Sequence, residues 1–397
     1  MKITGARFVR AKITWDYEGS LGEERGASPM DVYPELRSGK RTWPISGLED
    51  GPPYPLERLF LFIDTDIDVS GMYGPVPTGE ARFIARRFVP LLIGENPHAV
   101  QRMWDKMYRA VVYAPKGLAM MALSKVDLAL WDLKGKLFDA PVYELLGGPT
   151  RPRIRAYASM LGYSVEPERA AQRSKEMVEQ GYTAMKWFCR YGPPHGPEGE
   201  RKNLALIEAV RDAVGPDVDI MFDAWNSWDV PYTQRMAQRA ADYRPWWFEE
   251  PVMPDMVHQY AELRRTVSTV AIAGGEHAYT RWGAKSLLDA GAVDILQLDP
   301  WWGGGLTELV KVCALASAEG IPMIPHHGAI ASTHLVASQP LTTCPIQEWI
   351  LQAGARDNAF LKHKLDPQDG FIELPKVPGL GMEFDEDVIE SREEVQL

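Results

Sequence analysis

The sequence predicts an α/β protein: a parallel (β/α)8 TIM-type barrel preceded by a smaller α+β domain. Three observations predict it. Strand-like and helical patterns alternate eight times between Arg151 and Leu351, the rhythm of βα units that close a parallel sheet. The residues before Arg151 lack that rhythm and read strand, long loop, strand, helices. The strand ends of the second segment carry Asp, Glu and His at nearly constant spacing. A doubly wound sheet is the rival, but it rarely needs eight βα units, and no glycine-rich phosphate loop follows the first strand.

The elements follow in order. Met1 to Thr14 is a strand-like run, and Leu59, Leu61 and Ile63 alternate at the strand period. Between them, Asp16 to Tyr54 is rich in Gly and Pro. So long a stretch without regular structure inside a compact protein is a lid, a binding loop or disordered; the expectation is a lid near 15–57. Val100, Met103, Trp104 and Met107 share one helical face, and Val126, Leu130, Leu133 and Leu137 share another. Pro141 and the Gly147-Gly148 pair close the region.

From Arg151 the strands read RIRAYASM, AMKWF, DIMFDA, WWFEEP, AIAGGE, ILQLD, IPMIPHHG and IQEWIL, each but the last followed by a helical stretch. Asp366 to Leu397 is a tail that returns to the first domain. The expected division is 1–128, 129–351 for the barrel, and 352–397 packing back on the first domain.

Composition narrows the function. The 397 residues carry a formal net charge of −11 with no basic stretch, which argues against nucleic acid or an anionic membrane as partner. An apolar content of 45% with 24% charged residues is that of a globular protein. No run of about 18 apolar residues occurs, and the N-terminus lacks the apolar core of a signal peptide. Cys189, Cys313 and Cys344 form neither a disulfide framework nor a zinc pattern. The expectation is a soluble, cytoplasmic enzyme.

Catalytic groups of such barrels project from the C-terminal strand ends. Strand three ends at Asp223, strand four at Glu249-Glu250 and strand five at Glu276-His277. One such carboxylate would be a helix cap or a salt-bridge partner. Three on successive strands converge, and held close they repel unless a cation neutralises them. Oxygen ligation without Cys suits a hard ion, Mg²⁺ first and Mn²⁺ second. Strand order alone leaves Glu249 and Glu250 as alternatives. Asp299 ends strand six and His326-His327 end strand seven; an Asp beside a His can orient the imidazole as a general base. Strand eight contributes Glu348, and strand two Lys186.

Asp223, Glu249 in WWFEEP, Glu276 in GGEH, Asp299 in LQLD, His326 in PHHG and Glu348 together resemble the enolase superfamily, mandelate racemase subgroup. VDLALWDLKGKLFDAPVYELLGG resembles that family's passage from capping domain to barrel, and PGLGMEFD its C-terminal return. Within the subgroup, GPPHGPEG, DAWNSWDV, GGEHAYTRWG and DPWWGGG look most like L-rhamnonate dehydratase-like acid sugar dehydratases. The resemblance implies a modified, enolase-like barrel under an α+β capping domain that the C-terminal tail completes. It implies Asp223, Glu249 and Glu276 as Mg²⁺ ligands and a base that abstracts a proton beside a carboxylate. Glu250 would then pair with a cation at the rim.

Racemases of this family carry Lys-X-Lys on strand two. Here the sequence is Lys186-Trp187-Phe188, so the second base is absent and β-elimination is implied. His326, oriented by Asp299, would take the C2 proton of a sugar acid and hand it to the departing 3-hydroxyl. Lys186 would neutralise the substrate carboxylate or merely pair with a metal ligand. Glu348 would hydrogen-bond a carboxylate oxygen and needs a raised pKa to do so. Substrate contacts are expected from His277, Trp225, His195, Arg190, Trp302 and, on the lid, Tyr33, with Glu24 and Arg37 as further lid candidates. The lid has no histidine, a departure from rhamnonate dehydratases that leaves the sugar open. The alternatives are a racemase or epimerase that recruits His195 or His277, and a catalytically silent metal-binding barrel. The family also implies a homo-oligomer, often an octamer.

Overall fold

The computed structural model describes residues 1–19, 21–37, 51–327 and 329–397. Residues 38–50 of the expected lid lie outside them. The first domain is built on an antiparallel sheet of β1 (Ile3–Trp15), β2 (Tyr54–Thr65), β3 (Ser70–Tyr73) and the strand Ser391–Val395 near the end of the chain. The last strand pairs antiparallel with β1, Phe8 opposite Val395 and Lys12 opposite Ser391. The tail therefore returns to the first sheet.

The barrel strands are β4 (Arg153–Ser159), β5 (Ala184–Phe188), β6 (Asp219–Asp223), β7 (Trp247–Glu249), β8 (Ala271–Gly274), β9 (Ile295–Leu296) and β10 (Gln347–Ile350). All run parallel, in the order β10-β4-β5-β6-β7-β8-β9. The expected strand IPMIPHHG is reduced to a parallel bridge between Met323 and Leu296. Pro322 and Pro325 have no N–H to give a ladder, so the donors survive only between them: Met323 N donates to Thr343 O at 2.8 Å and Ile324 N to Leu296 O at 2.8 Å, while Pro322 O accepts from Leu296 N at 2.9 Å. A short strand β11 (Phe371–Glu373) pairs antiparallel with β4, and Ser391–Val395 is β12.

The helix Leu118–Leu137 joins the two parts and runs unbroken through 128–129. Its apolar residues are buried nearly all round, as a helix between two packed bodies requires. Two of its polar side chains, Ser124 and Asp127, face the N-terminus of the barrel helix Gly305–Ala318, whose first N–H groups lack partners within that helix. Ser124 Oγ accepts from Gly304 N at 2.9 Å, and Asp127 Oδ2 accepts from Thr307 N at 3.0 Å. Trp104 Nε1 donates to Gly304 O at 2.8 Å from a neighbouring helix. No described helix is long and apolar enough to cross a membrane.

Candidate active site

One layer of inward side chains forms the barrel floor: Tyr157, Ala184, Met221, Trp247, Ala273, Ile295, Ile324 and Ile346, all at most 2% exposed. Side chains two residues apart on a strand share a face. Two positions beyond the floor therefore come Lys186, Asp223, Glu249, Gln297, His326 and Glu348. The β8 position of this layer is Gly275, at φ +121°, where a Cβ would press on Leu296 and Gln297. Its missing side chain leaves the next residue, Glu276, to enter from the loop.

Register sets these groups side by side. Asp223 pairs with Glu249, and Glu348 with Tyr157. Lys186 Nζ contacts Glu249 Oε1 and lies 2.9 Å from Glu348 Oε1. Lys186 is thus paired with two buried carboxylates, Glu249 and Glu348. Glu249 Oε2 accepts from Trp247 Nε1 at 2.9 Å and from Gln297 Nε2 at 2.7 Å.

On the other side of the rim, His326 Nδ1–H donates to Asp299 Oδ2 at 2.8 Å, the carboxylate being able only to accept. That fixes Nε2 as the atom free to take a proton; it lies 3.3 Å from Glu276 Oε2. Asp299 is held in turn by Trp301 N at 2.5 Å. His327 has no contact with Asp299: its N–H donates to Glu348 Oε2 at 2.9 Å, and its ring lies 4.5 Å from that of Trp301. The hydrogen-bonded His–Asp pair is therefore His326 and Asp299. Several residues just beyond strand ends, Trp225, Asn226, Glu250 and His327, hold positive φ without being glycine. Such strain gathers where a site over-determines the backbone.

Charge is crowded here. Loss of hydration, then the Glu249 charge, pushes the Asp223 carboxyl well above its ordinary range. Glu276 rises to about 7, burial outweighing the pull of His326. His326 would be lowered by burial, but Glu276, the Asp299 hydrogen bond and Glu348 hold it well above 6.5. Burial also acts against His277, yet Glu250 at 2.8 Å lifts it to about 9. Glu250 itself is lowered, its burial overcome by His277. It does pair with a cation, as expected, although it is buried. The expected rise of Glu348 is corrected: burial would raise it, but Lys186, His326 and the His327 N–H bring it down to about 2.

The substrate contacts expected from sequence divide. Trp302 stacks 5.3 Å from the His326 ring, and Trp225 is 43% exposed at the rim. Arg190 and His195 instead hold the described part of the long loop: Arg190 Nη2 donates to Arg37 O at 2.9 Å and its Nε to Glu24 at 3.2 Å, while His195 Nε2 lies 4.0 Å from Asp31. A buried Arg25–Asp31 pair at 2.7 Å ties that loop together. Tyr33 is exposed on it. A cavity of about 500 Å³ opens under the first domain, lined in part by Arg58, Lys125, Trp301, Trp302, His326 and His327. Arg58 and Lys125 were not expected from the sequence, although Lys125 is the one basic residue between Leu118 and Leu133.

A hard cation fits these donors. Four carboxylates, Asp223, Glu249, Glu250 and Glu276, crowd one side of the rim, and oxygen is the ligand Mg²⁺ prefers. Among the described residues, the set whose ligand atoms all lie within 4.8 Å of one another is Glu250, Glu276 and His277. Asp223 and Glu249 stand outside that set.

Fold and site define a (β/α)8-barrel enzyme with an acidic rim and a His–Asp pair. Residues 169–388 match the family described as Enolase C-terminal domain-like, and 67–147 match the Mandelate racemase / muconate lactonizing enzyme, N-terminal domain. An L-rhamnonate dehydratase of Saccharopolyspora erythraea is 35% identical over 376 residues, 92% of this chain and 91% of that protein. The structure of rhamnonate dehydratase from Gibberella zeae complexed with Mg superposes with a TM-score of 0.82 at 30% identity, covering 98% of this chain and 95% of that one. The 3,6-anhydro-D-galactonate cycloisomerase of Zobellia galactanivorans gives 0.78 at 29%, covering 98% and 100%. The chain belongs to the enolase superfamily, mandelate racemase subgroup, and within it is rhamnonate dehydratase-like.

Proposed function

We propose that this protein is a Mg²⁺-dependent hydro-lyase that dehydrates a sugar (aldonic) acid to a 2-keto-3-deoxy acid. The observation that carries the reading is the single base. His326 and Asp299 form the dyad, whereas the position two beyond Lys186 is the buried apolar Phe188. A base on one face removes a proton readily but cannot return it to the other. Elimination fits that arrangement and racemisation does not. Of the two histidines a racemase would recruit, His277 bonds Glu250 and His195 accepts from Gly192 N at 3.1 Å and lies beside the long loop.

Asp223, Glu249 and Glu276 are proposed to hold the ion, with Glu250 and His277 packed behind Glu276. Bound Mg²⁺ supplies Lewis-acid stabilisation of charge developing on the substrate carboxylate. Neutralising the Glu276 charge also removes the main force that holds His326 protonated. Neutral His326 then takes the C2 proton at Nε2, since Nδ1–H stays on Asp299. The imidazolium returns that proton to the departing 3-hydroxyl, which leaves as water. Lys186 and the ionised Glu348 set the local charge beside the carboxylate; Trp302 and Trp225 wall the pocket. The about 500 Å³ cavity lies in the range of small-molecule sites. The same reading takes the enzyme as a cytoplasmic homo-oligomer, with light scattering as the check on an octamer.

Proton NMR in D₂O with Mg²⁺ and a panel of C5 and C6 aldonic acids, L-rhamnonate among them, tests the reading. A 2-keto-3-deoxy product is expected. Deuterium entering C2 with no loss of water would replace dehydration by racemisation or epimerisation.

A further inference from the structure

We infer that Gln297 and Trp247 are positioning residues that grip one oxygen of Glu249 from beneath and leave the other as its only ligating atom. The inference rests on Glu249 being a metal ligand, as proposed above. Both donors are neutral and both converge on Oε2, the indole N–H at 2.9 Å and the carboxamide N–H at 2.7 Å. An ionised carboxylate oxygen has two lone-pair sites, so two such donors fill Oε2. Oε1 faces Lys186 and the rim. Glu249 would therefore ligate through one oxygen, and a bidentate mode is closed to it.

The grip is built, not incidental. Trp247 lies two residues before Glu249 on β7 and so shares its inward face. It is fully buried and packs edge-on against Tyr157 at 5.7 Å between ring centres. Gln297 is 1% exposed and continues the line of β9, its N–H donating to Gly274 O at 2.9 Å. Its Oε1 is buried with no hydrogen-bond partner among the described residues. The carboxamide thus leaves one polar atom unmatched while its N–H serves Glu249. An apolar residue would avoid that burden, so the hydrogen bond to Glu249 is what the position offers in return. Neither side chain lines the cavity beside His326.

Mn²⁺ binding to the full-length protein, read by electron paramagnetic resonance without substrate, tests this. Gln297→Met nearly preserves volume, Trp247→Phe keeps an aromatic ring without the N–H, and Glu249→Gln is the control. Loss of an outer partner of a ligand typically weakens metal binding by about 10–100-fold; that weakening is expected in each of the two variants, with circular dichroism unchanged. Because they act through Glu249, raising Mg²⁺ should restore most of kcat in Gln297→Met, which damage to the fold would not permit. Mn²⁺ binding within about twofold of wild type in both folded variants, with Glu249→Gln impaired, overturns the grip alone. Unchanged binding in Glu249→Gln overturns the ligand assignment and this inference with it. Wild-type Mn²⁺ binding that follows the expected order, without dehydration of any acid, would support the grip and count against the proposed reaction.

Discussion

Two regions of this molecule bury charge, and they do so by opposite rules. At the seam between the domains, carboxylates are matched one by one. Asp132 Oδ2 accepts from Met72 N and Oδ1 from Leu380 N, both at 2.8 Å, with Lys136 at 2.6 Å. Glu308 accepts from the Arg281 backbone N–H and from two N–H groups of its guanidinium at 2.7–2.9 Å. At the barrel rim, Asp223, Glu249, Glu250, Glu276, Asp299 and Glu348 are set against Lys186, His277 and His326, and burial with the charge of neighbouring carboxylates raises Asp223 and Glu276. Matched charge holds elements in place. Surplus charge of one sign, held rigidly, is a demand for a partner from outside.

The largest effect expected at the rim is kinetic. His326→Asn should cost about 10²–10⁴-fold in kcat for dehydration with little change in the urea midpoint, measured by keto-acid formation and by denaturation. Full activity would break the contrast, because the rim would then have no base. At the seam the reverse is expected. Asp132→Ala orphans two buried N–H groups and Lys136 and should destabilise by about 3–5 kcal/mol, while folded protein at low temperature keeps its turnover.

Added ion should distinguish the two regions as well. Mg²⁺ at 100 times its Kd should stabilise wild type by about 2.7 kcal/mol in thermal melts. The gain should disappear in Asp223→Asn and persist in Asp132→Ala.

The smallest effect is a pH slope at the seam. Burial lowers His334, which accepts from Tyr143 N at 3.1 Å, to about 4. Unfolded, it titrates near 6.5, so between these values the unfolded chain holds the extra proton and stability falls as pH falls. Burial raises Asp127 to about 7 from 3.8, so across that window the folded chain holds the extra proton and stability falls as pH rises. The two slopes oppose each other between about pH 4 and 6.5. Asp127→Asn removes one of them and should leave stability rising with pH by about 1.4 kcal/mol per unit. Urea midpoints at pH 5 and 6.5 check it; an unchanged slope would show that Asp127 does not titrate there.

The barrel was legible because parallel strands buried on both faces write short apolar runs ending in polar residues. AMKWF coincides with β5. The strand read in IPMIPHHG shrank because its prolines cannot pair. The position two beyond each floor residue was readable too: Gln297 has the parity of Asp299 in ILQLD, yet an amide between two leucines draws less notice than a carboxylate. The pKa of Glu348 could not be read from its strand-end position, since it depends on a lysine from β5 and a backbone N–H of another loop. Arg190 and His195 sit on a rim loop, as read, but sequence gives no sign that the long loop would claim them. Arg58 and Lys125 reach the cavity only through the docking of one domain on the other.

The pairing of β12 with β1 also constrains how the protein is made. β1 leaves the ribosome about 375 residues ahead of its partner, which begins at Ser391. At about 5–20 residues per second, that edge waits roughly 20–80 s for the strand that covers it. Much of the charge that ends up on this edge, Arg392, Glu393 and Glu394, arrives with the latecomer. Until then Val9 and Ala11 lie on an uncapped edge, the form of strand most open to pairing with another chain.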